Sequence, residues 1–477
     1  MNIRDTLITG RVKRLISFLR FKPFDVSMPE GKTNERYRRA ALTTVTSVIA
    51  RGVSILTAFV TVPLTLNYLG RERYGLWMTI SSMIVMLGFA DFGLGNGLVN
   101  AIAQADGKND YDAAKKSVSS VFFMLLVSAL FLLVVFRIIY PFVSWYRIFN
   151  VSSILAVQES GPATAVFVIC FLLNLPLVVA QRIQFGYQEG FLNNYWQIAG
   201  NILGLVAVLI VIKFHGNLAW LVAAMSGVPT IITATNWGFL FFYRHPLLLP
   251  RWKNFHFTTG KELIGKGIIF VLLWLASVLG TSTDNIIIAQ FLGASEVAAY
   301  AVVQRLFSLT FLVQLFASPL WPAFNNAVET SDFVWASRTY KHIQILAICL
   351  TLLICLPLIF FGQAIIKVWA GPLVIPSISL ITGYALFRLV SGFAEAPMPV
   401  LMCDKYVRKL LVIATVAGGV SFILKIIFVQ RWQAAGVAWA SALSYGVFFT
   451  LPAFMIANRG LTPKEGEIWK QANKIAI

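Results

Sequence analysis

The chain has 477 residues, 58% of them hydrophobic and only 12% charged, with a mean hydropathy of +0.76. Soluble chains carry about 25% charged residues, so this composition excludes a set of water-soluble domains. The four cysteines (Cys170, Cys349, Cys355, Cys403) lack CxxC spacing, and the four histidines are scattered, which argues against a disulfide framework, a metal centre or a histidine-based active site.

Taken in chain order, residues 1–40 carry ten Lys and Arg, from Arg4 to Arg39, with Ile8, Val12, Leu15 and Leu19 at helical spacing. That pattern fits a basic amphipathic helix on an anionic membrane surface, or a solvated basic tail. Apolar runs of about 20 residues follow, the length a helix needs to cross roughly 30 Å of hydrocarbon. Twelve such spans are expected: 42–68, 75–101, 117–136, 162–180, 195–212 and 218–242, then 268–292, 297–319, 343–361, 375–402, 410–428 and 434–456. The expected organisation is a basic N-terminal segment (1–40), a first lobe (41–245), an inter-lobe linker (246–267), a second lobe (268–457) and a tail (458–477).

Lys and Arg counted on alternate sides of the twelve spans divide unevenly, with 28 on the side of the N-terminus and eight opposite: Arg71, Arg73, Arg137, Arg147, Lys213, Lys367, Lys425 and Arg431. The positive-inside rule then puts both termini in the cytoplasm. The net charge of +19 is therefore an orientation signal and calls for no nucleic-acid partner.

The halves echo one another at an offset of about 220 residues. The hairpin Tyr68-Leu69-Gly70-Arg71-Glu72-Arg73-Tyr74 matches Phe291-Leu292-Gly293-Ala294-Ser295-Glu296, and Asp110 and Asp332 are each placed to cap the next helix. Gly216-Asn217-Leu218-Ala219-Trp220 likewise matches Ala435-Gly436-Val437-Ala438-Trp439. Repeats that both start on the same side are parallel. The fold expected is an all-α polytopic membrane protein, with twelve transmembrane helices in two parallel six-helix lobes around a central cavity.

The run Tyr68-Leu69-Gly70 to Tyr74-Gly75-Leu76-Trp77, the segment Phe89-Ala90-Asp91-Phe92-Gly93-Leu94-Gly95 and Asp284-Asn285-Ile286-Ile287 to Gly293 resemble the polysaccharide-exporter branch of the multidrug/oligosaccharidyl-lipid/polysaccharide transporter superfamily. The resemblance covers residues 40 to 457. It implies a flippase that moves an undecaprenyl-pyrophosphate-linked oligosaccharide, an O-antigen or exopolysaccharide repeat unit, across the bacterial inner membrane by alternating access. The partners implied are that lipid-linked oligosaccharide, membrane lipids and polysaccharide polymerase machinery, without nucleic acid or nucleotide.

Ionisable groups inside spans cost about 2.5–3.5 kcal/mol each on insertion scales, so each needs a reason. They are Arg51, Asp91, Asp284, Arg305, Arg388 and Glu395. Arg51 and Asp91 share a depth and could pair, as could Asp284 and Arg305; Arg388 and Glu395 lie seven apart on one helix face. One reading makes these neutralising pairs. Another uses Arg51, Arg388 and Arg305 as guanidinium forks for a lipid pyrophosphate, with Asp91, Asp284 and Glu395 as carriers of a coupling H⁺ or Na⁺. No other cofactor is expected. Arg182, near a span end, is expected to snorkel to headgroups. Gly93-Leu94-Gly95-Asn96-Gly97 sits in a span with no strand before it, so it reads as a hinge or packing face and not a nucleotide loop. Gly31-Lys32-Thr33 lacks the earlier glycine of a P-loop.

The chain is not expected to be an enzyme. A drug or cation antiporter of the same superfamily is the first rival, but would favour an acidic cavity over one with deep arginines. A membrane-embedded polysaccharide polymerase or acyltransferase is the second, but would need an outer loop or His-Asp constellation that 137–161 lacks.

Overall fold

The computed structural model describes residues 29–311, 332–403 and 405–461, with isolated positions between 20 and 25 and between 314 and 330. The expected interfacial helix at residues 8–19 lies outside the described residues, as do most of the far end of the eighth span and the tail from 462. The described residues form helices joined by short turns and loops and contain no strand.

Eight helices among them are long and apolar enough to cross a membrane. Two are too long for one crossing. Pro29–Leu87 has 59 residues, roughly 90 Å of helix at 1.5 Å per residue. It breaks at Gly70 (φ 75°, ψ 174°), a backbone conformation open essentially to glycine alone. Gly293 (φ 91°, ψ 161°) makes the matching turn between Asp284–Leu292 and Ala294–Leu306. Val407–Ser444 breaks at Trp432 and Gln433. The two expected caps form, with Ala113 N donating to Asp110 Oδ1 (2.9 Å) and Trp335 N to Asp332 Oδ1 (3.1 Å).

Packing divides the described residues into two units. The first holds those within 1–58, 90–142 and 165–268; the second holds those within 59–89, 143–164 and 269–461. In the first, Leu94, Leu98 and Ile102, one turn apart on Leu94–Lys108, close against Val118, Val121, Leu125, Ile183 and Leu240. The glycine run opens this helix: Gly93 is left-handed (φ 74°), and a Cβ on Gly97 would lie 2.7 Å from the Leu263 carbonyl oxygen. In the second unit Phe324, Tyr340, Val400, Tyr406 and Leu410 form the core. Residues 59–89 join it because Gly75 lets their helix touch the next hairpin: a Cβ there would fall 1.7 Å from Ala294 O. Arg71 pairs with Glu296 (3.1 Å), and Arg73 holds Glu159 through two bonds of 2.6 and 2.7 Å. Many large apolar side chains stay outside, Phe360 at 77% and Val368 at 88% exposure among them. Such surface suits hydrocarbon.

Candidate functional site

The second unit encloses a cavity of about 490 Å³ whose wall includes Ser277, Asp284, Arg305, Tyr384, Arg388 and Glu395. Four of the six ionisable residues expected from sequence therefore meet in one place. They arrive on three helices: Asp284 opens Asp284–Leu292, Arg305 ends Ala294–Leu306, and Arg388 and Glu395 lie on and just after Ile378–Ala394. Tyr445, at the start of a π-helical turn, completes the wall; such turns recur at functional sites.

The chain breaks between Phe257–Thr281 and Asp284–Leu292, which leaves Gly280 O without a helical donor. Lys425 Nζ and Ser421 Oγ donate to it (2.5 and 3.4 Å). The same ammonium forms an ion pair with Asp284 Oδ1, a close contact without the alignment of a directed hydrogen bond. Tyr300 Oη donates to Asp284 Oδ2 at 2.5 Å. Lys425 is 0% exposed and Asp284 3%. Two buried charges thus satisfy one another, where either alone would carry an uncompensated desolvation cost.

This corrects two expectations. Asp284 pairs with Lys425 and Tyr300, not with Arg305, because its place in a first helical turn aims it at the broken backbone. Lys425, counted among the charges opposite the N-terminus, instead carries its ammonium into the helical core on a long stem. With Asp284 neutralised by Lys425, the cavity wall carries Arg305 and Arg388 against Glu395, one net positive charge. Arg305 is exposed on that wall, while Arg388 is half-buried and donates from Nε to Thr310 Oγ1 at 2.6 Å.

Arg51 and Asp91 belong to the first unit. Asp91 Oδ1 accepts from Gly93 N at 2.9 Å, and a Cβ on Gly95 would sit 3.0 Å from Asp91 Oδ2 and 2.7 Å from Arg182 Nε. Gly95 is thus the gap across which Asp91 and Arg182 approach. Arg182 is half-buried: its Nε is buried without a hydrogen-bond partner, while Nη1 reaches the exposed Asn96 Oδ1 at 3.4 Å. Beside the next loop, Glu189 (1% exposed) joins Arg244 (2.5 Å) and His245 (3.5 Å), whose ring stacks on Tyr187. Burial pushes the Glu189 carboxyl up, but the bonds from His245 and Arg244 outweigh it and hold the pKa at about 2.

Sequence reasoning missed Lys425 and the tyrosines around Asp284. Lys425 did carry a signal, three residues inside the end of its expected span. The tyrosines carried none, since an aromatic in a span is ordinary.

An all-helical, multi-span protein with a charged cavity inside one helical unit is a membrane protein of transporter architecture. Solved structures share it. This chain superposes with a TM-score of 0.73 and 16% identity on the inward-facing conformation of a multidrug resistance MATE family transporter of the MOP superfamily, over 86% of this chain and 94% of that one. It superposes with a TM-score of 0.67 and 14% identity on the lipid II flippase MurJ, over 88% and 89%. The family model for polysaccharide biosynthesis proteins matches residues 42–326, more than half of the chain, and the chain belongs to that family. Relatives include a protein assigned to O-antigen export in Yersinia pseudotuberculosis, 25% identical over 61% of this chain and 66% of that one. Another, assigned to O-antigen transport in Salmonella typhi, is 25% identical over 59% and 63%. The matched stretch therefore spans just under two thirds of these relatives' length.

Proposed function

We propose that this chain is a flippase that carries a lipid-linked oligosaccharide, of the O-antigen or exopolysaccharide kind, across the bacterial cytoplasmic membrane by alternating access. The family, the export roles assigned to its relatives and the fold shared with a lipid flippase support that reading. The observation that carries it is the cavity wall, where Arg305 and Arg388 keep one net positive charge after Lys425 has neutralised Asp284. Planar guanidinium forks suit a pyrophosphate. Arg51, half-buried in the first unit, is the third candidate for that role. In this reading both termini lie in the cytoplasm, the cycle needs no chemistry on the substrate, and Asp91 and Glu395 are the carboxylates left to couple an ion.

The drug or cation antiporter reading fares worse, because the deepest acid of the cavity already holds an internal ammonium. The test is transport of a lipid-linked oligosaccharide into reconstituted vesicles by Arg305→Glu, Arg388→Glu and Arg51→Glu variants of confirmed insertion. Loss of flipping in the two cavity variants is expected. No flipping by the unmodified protein would sink the flippase reading; full flipping by both cavity variants would overturn the pyrophosphate role of Arg305 and Arg388, and full flipping by Arg51→Glu alone would remove that residue from it.

A further inference from the structure

The first unit contains a second polar cavity, of about 350 Å³, with no ionisable side chain in its wall. It lies among Val179–Gly186, Gly190–Lys213 and Val228–Phe239, and its lining includes Gln181, Asn193, Trp196, Gln197, Asn201 and Thr233. Asn193, Gln197 and Asn201 recur every fourth residue along Gly190–Lys213 and so form one stripe of amides facing the space. A run of amides along a membrane helix is costly unless its hydrogen bonds are met.

Some are met. Gln184 and Asn236, each 0% exposed, bond reciprocally at 2.7 and 3.1 Å, and Asn236 Nδ2 also reaches Asn193 Oδ1 at 3.4 Å. Asn193 Nδ2 donates to Gln181 O at 3.1 Å. These bonds make a rigid wall. One is unmet, Asn201 Nδ2, which is buried with no partner; among the described residues the side-chain amides of the half-buried Gln181 and the exposed Gln197 make no hydrogen bond with the protein and stay available. Three unspent amides and an indole thus share one small neutral chamber.

We infer that this chamber is a subsite for a neutral saccharide unit. An amide both donates and accepts, as a hydroxyl does, so a ring of hydroxyls satisfies these groups where a phosphate, which only accepts, would meet carbonyl oxygens as well as amide hydrogens. The indole offers an apolar face to a sugar's C–H surface. The volume falls at the small end of ligand sites, roughly 300–1,000 Å³, a scale for part of a glycan and not for a whole repeat unit. The inference rests on the flippase reading for the source of the glycan.

The test uses the full chain in lipid nanodiscs and two probes: the soluble neutral oligosaccharide released from the source bacterium's own polymer, and inorganic pyrophosphate. Binding is read by calorimetry. The variants are Gln197→Leu with Asn201→Leu, and Gly200→Met, which extends a side chain into the chamber. Gly200→Ala is the control, since a Cβ there makes only ordinary contact, 3.7 Å, with Ile232. Oligosaccharide binding should weaken about tenfold or more in both variants, the scale of one or two lost hydrogen bonds. It should hold in the control, with pyrophosphate binding unchanged throughout. Because Asn201→Leu removes an unsatisfied donor, thermal stability should not fall, which a merely structural amide would not allow. Oligosaccharide binding that survives both variants overturns the subsite, and so does pyrophosphate binding without any oligosaccharide binding; either result leaves the flippase reading standing. Failure of both probes to bind overturns both.

Discussion

Lys425 shows what one side chain decides. With Asp284 it forms a pair sealed from solvent, so removing one partner leaves a bare charge in the helical core. Lys425→Ala is expected to destabilise the protein by ~3–5 kcal/mol, whereas Lys425→Met combined with Asp284→Leu should recover most of that loss. Thermal unfolding in detergent, followed by loss of the monodisperse peak, measures both. A double variant no better than the single would show that the pair does more than neutralise charge. Glu189 offers a titration at the same scale. Its pKa is depressed to about 2 in the fold from an ordinary value of 4.5. The stability it contributes is complete above pH 4.5 and is lost as pH falls toward 2, because protonation then abolishes the bonds to Arg244 and His245. Glu189→Gln should flatten that acid limb of the stability profile while lowering stability at neutral pH.

At the scale of elements, the hairpins depend on backbone that only glycine adopts at low cost. Gly70→Ala and Gly293→Ala should each cost ~1–3 kcal/mol through strain at positive φ. Gly75→Ala acts differently, by driving a Cβ into Ala294 O and prising apart two packed helices. Its loss should exceed that of Gly52→Ala, where a Cβ would meet nothing within 4 Å. Equal unfolding temperatures for the Gly52 and Gly75 variants would contradict this contact. The hairpin glycines were legible beforehand because chain reversal between two spans leaves few other choices. The close approach at Gly75 was not, because nothing in a glycine says which neighbour will use its missing side chain.

For the whole molecule, the proposed alternating access requires helices joined in this structure to part during the cycle. Arg71 and Glu296, one from each half of the repeat, are paired at 3.1 Å within the second unit. With Cys170, Cys349, Cys355 and Cys403 replaced, a bifunctional thiol reagent linking Arg71→Cys to Glu296→Cys should stop flipping, and a cleavable reagent should restore it on reduction. Undiminished flipping by the cross-linked protein would mean that these hairpins never separate.

What the sequence alone determined follows from solvent and chain geometry: apolar length makes membrane spans, glycine makes the reversals, and aspartate before a helix makes the caps at Asp110 and Asp332. It also put Arg305, Arg388, Asp284 and Glu395 on the short list, because a charge in hydrocarbon demands a reason wherever it lies. Only the tertiary structure decided how that list divides. It joined those four around one cavity, gave Asp284 to Lys425 and Tyr300, set Asp91 beside Arg182 and gathered unspent amides into a second chamber. The physical reason is that an ionisable or amide group is satisfied by whichever partner comes within about 3 Å. That distance is fixed by how helices remote in sequence pack together, which the period of one helix does not encode.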